Sequence, residues 1–235
     1  MTVLITGATS GIGLALTKQY QSSGEDVIAC GRDKAKLEGL FNSDTACFDV
    51  TNKEQVLNAC ADLPTLDTVV LNAGDCEYFE SVIPFDSAMF ERIININLIG
   101  IGYCLEALLP KIKPGGQLVL VSSSAHLLPF PKAEGYGASK AGLSYLAKTL
   151  RIDLAPHNIS VTLVEPGFVK TPLTDQNSFS MPFLVEVESA AKIMLAGIRA
   201  QKRTVRFPHS LMFVLHLFAL LPSRIWDWVM KGNNK

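Results

Sequence analysis

The sequence predicts a single doubly wound α/β domain: a parallel sheet of about seven strands with helices on both faces. Three observations point to it. Short apolar runs alternate with helical patterns along most of the chain. Several runs are apolar throughout, as strands covered on both faces must be. The first run leads into a glycine-rich turn that opens a helix. Strands are expected near 2–6, 26–30, 44–48, 67–71, 117–122, 159–164 and 203–207. One domain over 1–207 follows, with a helical extension over 208–235 packed on it.

Val3-Leu4-Ile5 is the first strand. It enters Thr6-Gly7-Ala8-Thr9-Ser10-Gly11-Ile12-Gly13, and the segment from Leu14 to Tyr20 reads as a helix. Gly7 permits a tight turn, while Gly11 and Gly13 let backbone approach a pyrophosphate at the helix N-terminus. A ligand-free glycine turn is the competing reading, and the strand before and helix after weigh against it.

The second strand ends at Ala29-Cys30-Gly31-Arg32-Asp33. An NAD enzyme usually carries an acid at this strand end for the ribose hydroxyl. Gly31 offers no charge to repel a 2′-phosphate, and Arg32 offers a planar fork of donors to bind one. NADP(H) is therefore favoured over NAD(H). Asp33 is read as the cap of the next helix, or as the ribose acid if the strand runs longer. Thr51-Asn52-Lys53-Glu54 reads as a capping box. Asp86 should cap a long helix reaching about Leu109 and closed by Pro110. Pro114-Gly115-Gly116 should turn the chain into the fifth strand.

Tyr136 and Lys140 stand four residues apart, which places both on one face of a helix. A fixed positive charge beside a phenol favours phenolate and lowers its pKa. A tyrosine so placed can trade a proton with a carbonyl/alcohol pair. An aromatic packed on a helix beside a solvated lysine is the plain alternative for this spacing alone.

Together the motifs resemble the short-chain dehydrogenase/reductase family, in its T-G-x-x-x-G-x-G and Y-x-x-x-K branch, over about 1–207. The resemblance implies a Rossmann-type domain and a nicotinamide-dependent oxidoreductase. It assigns cofactor contacts to Gly7, Thr9, Ser10, Gly11, Ile12 and Gly13, and adenine contacts to Asp49 and Val50. Asn72-Ala73-Gly74 matches the family's N-A-G. Pro166, Gly167, Val169 and Thr171 match the segment beside the nicotinamide. Tyr136 becomes the general acid and Lys140 a ribose ligand. Ser123, 13 residues before Tyr136, becomes a second donor to the carbonyl oxygen. Strand alternation points Ser122 and Ser124 away from Ser123. Asn97 would hold a water linking Lys140 to solvent, while Asn95 lacks the glycine three positions on. Leu71 departs from the family, which usually has asparagine there.

Composition bounds the rest. A net charge of −1 over 235 residues gives no electrostatic case for nucleic acid. Five cysteines without a C-x-x-C pair read as buried hydrophobes in a reducing compartment, hence a cytoplasmic protein. The first strand begins by residue 3, leaving no room for a signal peptide in this sequence. The longest unbroken apolar run, Leu211 to Leu221, is interrupted by His216 and is too short to span a bilayer. His157, His209 and His216 lack partners at ligand spacing, so no metal is assigned. His126 could reach substrate or simply pack, and Glu134 suits a helix N-terminus. Two function classes remain. One is an oxidoreductase, forming a homodimer or homotetramer, and the other is a silent NADP(H)-binding scaffold. Phe79, Leu127, Leu128, Phe130, Phe168, Phe179 and Phe183 suggest a small or medium-sized apolar carbonyl/alcohol substrate. The segment 209–221 is apolar nearly all round and should be buried on more than one side. The extension is read first as a core element or lid, then as an oligomer contact or a membrane-surface element.

Overall fold

The computed structural model describes residues 1–41, 44–177 and 179–232; the last three residues of the predicted extension lie outside them. Seven strands form one sheet in the order β3-β2-β1-β4-β5-β6-β9, parallel at every pairing. They are β1 (Thr2–Thr6), β2 (Asp26–Gly31), β3 (Thr45–Cys47), β4 (Leu66–Leu71), β5 (Ile112–Val121), β6 (Ser160–Pro166) and β9 (Thr204–Phe207). Two short strands, β7 (Val169–Lys170) and β8 (Val185–Glu186), pair separately and were not foreseen.

Alternation along the strands sorts the core. Leu4, Val69, Leu71, Leu118 and Leu120 face one side, against α3 (Lys53–Cys60), α5 (Gly100–Leu108) and α6 (Glu134–Asp153). Val3, Ile5, Val70, Val119 and Val121 face the other, against α1 (Gly11–Ser22), α2 (Lys34–Leu40) and α7 (Val187–Arg199). Fully burying each such side chain contributes roughly 1.5–3 kcal/mol. The chain reverses direction across the sheet between β1 and β4. The loops after these strands therefore diverge and leave a crevice at the carboxyl edge.

Several local expectations need correction. The long helix runs from its Asp86 cap to about Leu109 as expected, but it contains a π turn, Asn95–Ile99, between α4 (Ser87–Ile94) and α5. Asp86 does cap it, accepting from Met89 N at 2.9 Å. The combined Ser87–Lys111 run is long and apolar enough to cross a membrane, yet here it packs Ile93, Ile101, Cys104 and Leu108 into the protein. Asn52, not Thr51, caps α3 by accepting from Gln55 N. Strand β5 starts at Ile112, so Pro114-Gly115-Gly116 lies inside it, where its register against β4 shifts. Cys47 is exposed, because it ends the edge strand β3.

The extension forms α8 (His209–Ala219) and α9 (Ser223–Gly232). Leu211, Leu215 and Trp226 turn inward onto Leu127, Leu128, Phe130 and Phe168. Burial of α8 is one-sided, contrary to expectation: Phe213 is 71% exposed and Leu217 50%.

Candidate active site

The glycine turn is shaped by close backbone approach. Gly7 has φ +67°, and a Cβ there would lie 2.9 Å from Ala73 Cα. A Cβ on Gly13 would lie 2.2 Å from Gly7 O. Thr6 fastens the turn to the end of β4: its hydroxyl accepts from Asn72 N and Ala73 N, both at 3.0 Å. Asn72 Nδ2 returns a bond to Thr6 O at 3.0 Å. Asn72 thus acts beneath the surface as a staple.

Above this floor lies a cleft of about 320 Å³. Gly7, Thr9, Ser10, Arg32, Asp49, Val50, Ala73 and Gly74 line it. Gly11, Ile12 and Gly13 form the first turn of α1 beside it. Thr171 closes the side opposite: its Cγ2 would be 3.3 Å from a Cβ on Gly11. Val169 is buried in β7 and Pro166 ends β6. Gly167 instead faces the extension, where a Cβ would meet Leu211 Cδ2 at 2.6 Å.

At the outer end, Asp33 caps α2 by accepting from Lys36 N at 3.0 Å. A Cβ at Gly31 would meet Thr9 Cγ2 at 2.8 Å, so any side chain there requires Thr9 to shift. Lys36 and Phe48 line this end, and Ile96 lines the cleft from the π turn. None of these three was singled out from sequence. Only Lys36 carried a local signal, one helical turn after Arg32.

The catalytic candidates converge at the inner end. Tyr136 and Lys140 lie on α6, with Lys140 Nζ 5.8 Å from the Tyr136 ring centroid. Lys140 is buried, and its Nζ donates to Val121 O at 3.1 Å. Burial pulls its ammonium down to about 8. Burial likewise pushes the Tyr136 phenol well above its ordinary range, Cys76 adds to the rise, and the Ser123 hydroxyl offsets part of it. The expected lowering of Tyr136 by Lys140 is therefore not the dominant effect; desolvation is.

Ser122 and Ser123 do different things. Ser122 Oγ donates to Lys140 O at 2.9 Å and meets Ser144 Oγ at 2.7 Å, fixing α6 to β5. Ser123 Oγ accepts from Ala125 N at 3.1 Å, and its hydroxyl is the one that acts on Tyr136. Asn97, fully buried in the π turn, clamps the loop after β4. Its Oδ1 accepts from Asp75 N at 2.8 Å, and its Nδ2 donates to Asp75 O at 2.8 Å and Ser139 Oγ at 3.0 Å. Gly74 is wedged between Asn97 Oδ1 and Lys140 Nζ, which would lie 3.0 and 3.3 Å from a Cβ there. Asn97 thus stands beside the ammonium, and a π turn at a functional site is a common device.

The Tyr78 hydroxyl interacts with Cys76 and Asn177. Its ring meets Phe179 edge-on at 5.2 Å, and Phe179 meets Phe168 at 6.1 Å. Phe79, by contrast, is core, stacked on Phe85. Ser178, within the expected wall, lies outside the described residues. His126 does not offer itself to substrate. Its Nε2 stands 2.8 Å from Oε1 of the buried Glu165, off the line of a hydrogen bond, so the contact is chiefly electrostatic. Arg206 Nε bonds the other Glu165 oxygen. Burial alone would raise the Glu165 carboxyl, but His126 and Arg206 hold it below the usual range.

A glycine-floored cleft with a half-buried phenol and a buried ammonium near its inner end is the kind of site an oxidoreductase uses. The chain belongs to the short-chain dehydrogenase/reductase family, matching the short chain dehydrogenase pattern over residues 1–180. It is 34% identical over 241 residues to an uncharacterized oxidoreductase of Myxococcus xanthus, covering 96% of this chain and 94% of that one. It is 36% identical over 183 residues to the 3-oxoacyl-[acyl-carrier-protein] reductase FabG of Rickettsia prowazekii, covering 74% and 75%. Among solved structures it resembles a serine dehydrogenase complexed with NADP+, with a TM-score of 0.79 at 27% identity over 88% of this chain and 94% of that one.

Proposed function

We propose that the protein is an NADP(H)-dependent carbonyl reductase with Tyr136 as its general acid. The carrying observation is the Tyr136 phenol beside the Ser123 hydroxyl, with the buried Lys140 Nζ 5.8 Å from its ring centroid. A dinucleotide suits the cleft, because Gly7, Gly13, Gly31 and Gly74 leave it backbone-walled where a Cβ would collide. Bound there, the cofactor supplies the hydride. Tyr136 gives its proton to the carbonyl oxygen, and Ser123 donates to the same oxygen as negative charge develops. Lys140 would hold a positive charge toward the ribose of a bound cofactor, and Asn97 fixes the Asp75 loop beside it. The aromatic wall of Tyr78, Phe168 and Phe179 excludes water and favours a small or medium-sized apolar carbonyl compound.

The preference for NADP(H) over NAD(H) rests on three features: Arg32 and Lys36 at the outer end, glycine and not an acid at position 31, and Asp33 engaged as a helix cap. The NADP+ of the serine dehydrogenase supports it. Five free thiols suit a reducing, cytoplasmic setting, and homo-oligomeric assembly completes the reading. Oxidation of NADPH with a panel of aldehydes and ketones tests the whole. Tyr136→Phe should lower kcat by roughly 10²–10⁴-fold while NADPH affinity stays within about threefold. A variant retaining kcat within about tenfold would remove Tyr136 from the chemistry. Tight NADPH binding by wild type without turnover of any carbonyl would favour a silent scaffold.

A further inference from the structure

The surface that the reaction leaves unexplained is the outer side of the α8–α9 hairpin. Both helices turn one face to the same inner cluster, built on Leu211, Leu215 and Trp226. Their opposite faces therefore look away from the protein. On α8 the outward residues are Phe213, Leu217 and Leu220, at 71%, 50% and 84% exposure. They follow each other at helical spacing and form one stripe. No Asp, Glu, Lys or Arg occurs between Arg206 and Arg224, so nothing charged interrupts it. On α9, Trp228 projects at 76% exposure. Helical spacing puts Arg224 and Lys231 on either side of it, four residues before and three after.

We propose that this face rests on an anionic lipid surface. Three points select that occupant. A projecting indole flanked by cations suits the headgroup layer, with rings and stems in the acyl boundary and charges at the phosphates. The charge balance points the same way. A second copy of the chain would offer one α9 carboxylate, Asp227, to the two cations, whereas an anionic bilayer offers a phosphate to each. Length excludes crossing: α8 has 11 residues where a span needs about 20. The hairpin thus lies along the surface, apolar face down, as an amphipathic element does.

The two tryptophans provide the readout. Trp226 is 6% exposed and its Nε1 donates to Pro129 O, so it reports the interior. Trp228 reports the outer face. Wild-type protein should sediment with vesicles of phosphatidylglycerol and phosphatidylcholine at least tenfold more tightly than with phosphatidylcholine alone. Its tryptophan emission should shift to the blue, and Trp228→Phe should abolish the shift. Phe213→Ser/Leu217→Ser/Leu220→Ser should cut binding to both vesicles at least tenfold, and Arg224→Glu/Lys231→Glu should cut binding only to the anionic ones. Each variant should keep wild-type turnover of a soluble carbonyl compound, since none of these residues lies in the catalytic cluster. The proposal is overturned if wild type fails to sediment with anionic vesicles, or if the triple variant binds as wild type does. It is overturned too if wild type is a dimer that the triple variant converts to monomer while neither binds vesicles.

Discussion

Lys140 and Glu165 are both charged side chains buried at the carboxyl edge of the sheet, and they are treated in opposite ways. Glu165 lies one residue before the end of β6, beside its register partner Arg206 on β9, with His126 arriving from the turn after β5. Its carboxylate has Arg206 on one oxygen and the His126 ring on the other, and stays easily ionised. Lys140 has one backbone carbonyl, and among the described residues no carboxylate within ion-pair distance. Its charge is held at a cost, and its pKa falls to about 8. The lesson is that burial of a charge does not mark a site by itself. The compensated charge joins strands; the uncompensated one is poised to meet a ligand.

Truncating each residue should break the pair apart. Glu165→Ala removes the buried carboxylate that joins Arg206 to His126; because Arg206 is partly exposed and can turn to solvent, it should cost about 1–3 kcal/mol of stability in urea unfolding. Loss of under about 1 kcal/mol would show that the contacts are not compensating. Lys140→Met should do the reverse: the fold becomes no less stable in the same titration, while kcat/KM falls by at least roughly a hundredfold. A substantially destabilised Lys140→Met would mean that the ammonium is structural.

The smaller tests concern charge at the edges. Arg32→Ala removes one charge-assisted bond of about 1.5–3 kcal/mol, so the NADPH-over-NADH ratio of kcat/KM should drop at least tenfold. A wild type that prefers NADH would reverse the reading and return Asp33 to the ribose. The gentlest test is pH. The unfolded lysine titrates near ~10.4. Between about 8 and that value the unfolded chain holds more protons at this site than the folded one. Wild-type stability should therefore rise with pH across this window relative to Lys140→Met. For Glu165 the folded pKa is depressed, so its contribution is present above the ordinary carboxylate range and lost as pH falls through the folded value. Chemical denaturation from pH 3 to 10 reads both windows.

What the sequence revealed follows from how local each feature is. The β1–turn–α1 unit and the Tyr136/Lys140 pair are carried by residues within one or two turns of each other, so spacing alone places them. The His126–Glu165–Arg206 group joins three segments only because β6 lies between β5 and β9, an adjacency absent from any local pattern. The π turn at Asn97 has no residue signature that separated it from a continuous helix. Lys36, Phe48 and Ile96 belong to the cleft through the twist of the sheet, not through a motif. The apolar pattern of α8 implied burial all round, because composition records apolarity and not what covers it.

One contact made at Gly167 has a consequence for how distant parts of the molecule communicate. Leu211 of α8 packs directly on Gly167, in the segment between Pro166 and Thr171 that borders the cleft. Displacing the hairpin and altering that segment are thus one mechanical event. Were the two coupled, reciprocity would apply: a factor by which an inward α8 raised affinity in the cleft would equal the factor by which occupancy of the cleft held α8 inward. Slower hydrogen exchange along His209–Ala219 when nucleotide is added would measure that shared factor from the far end.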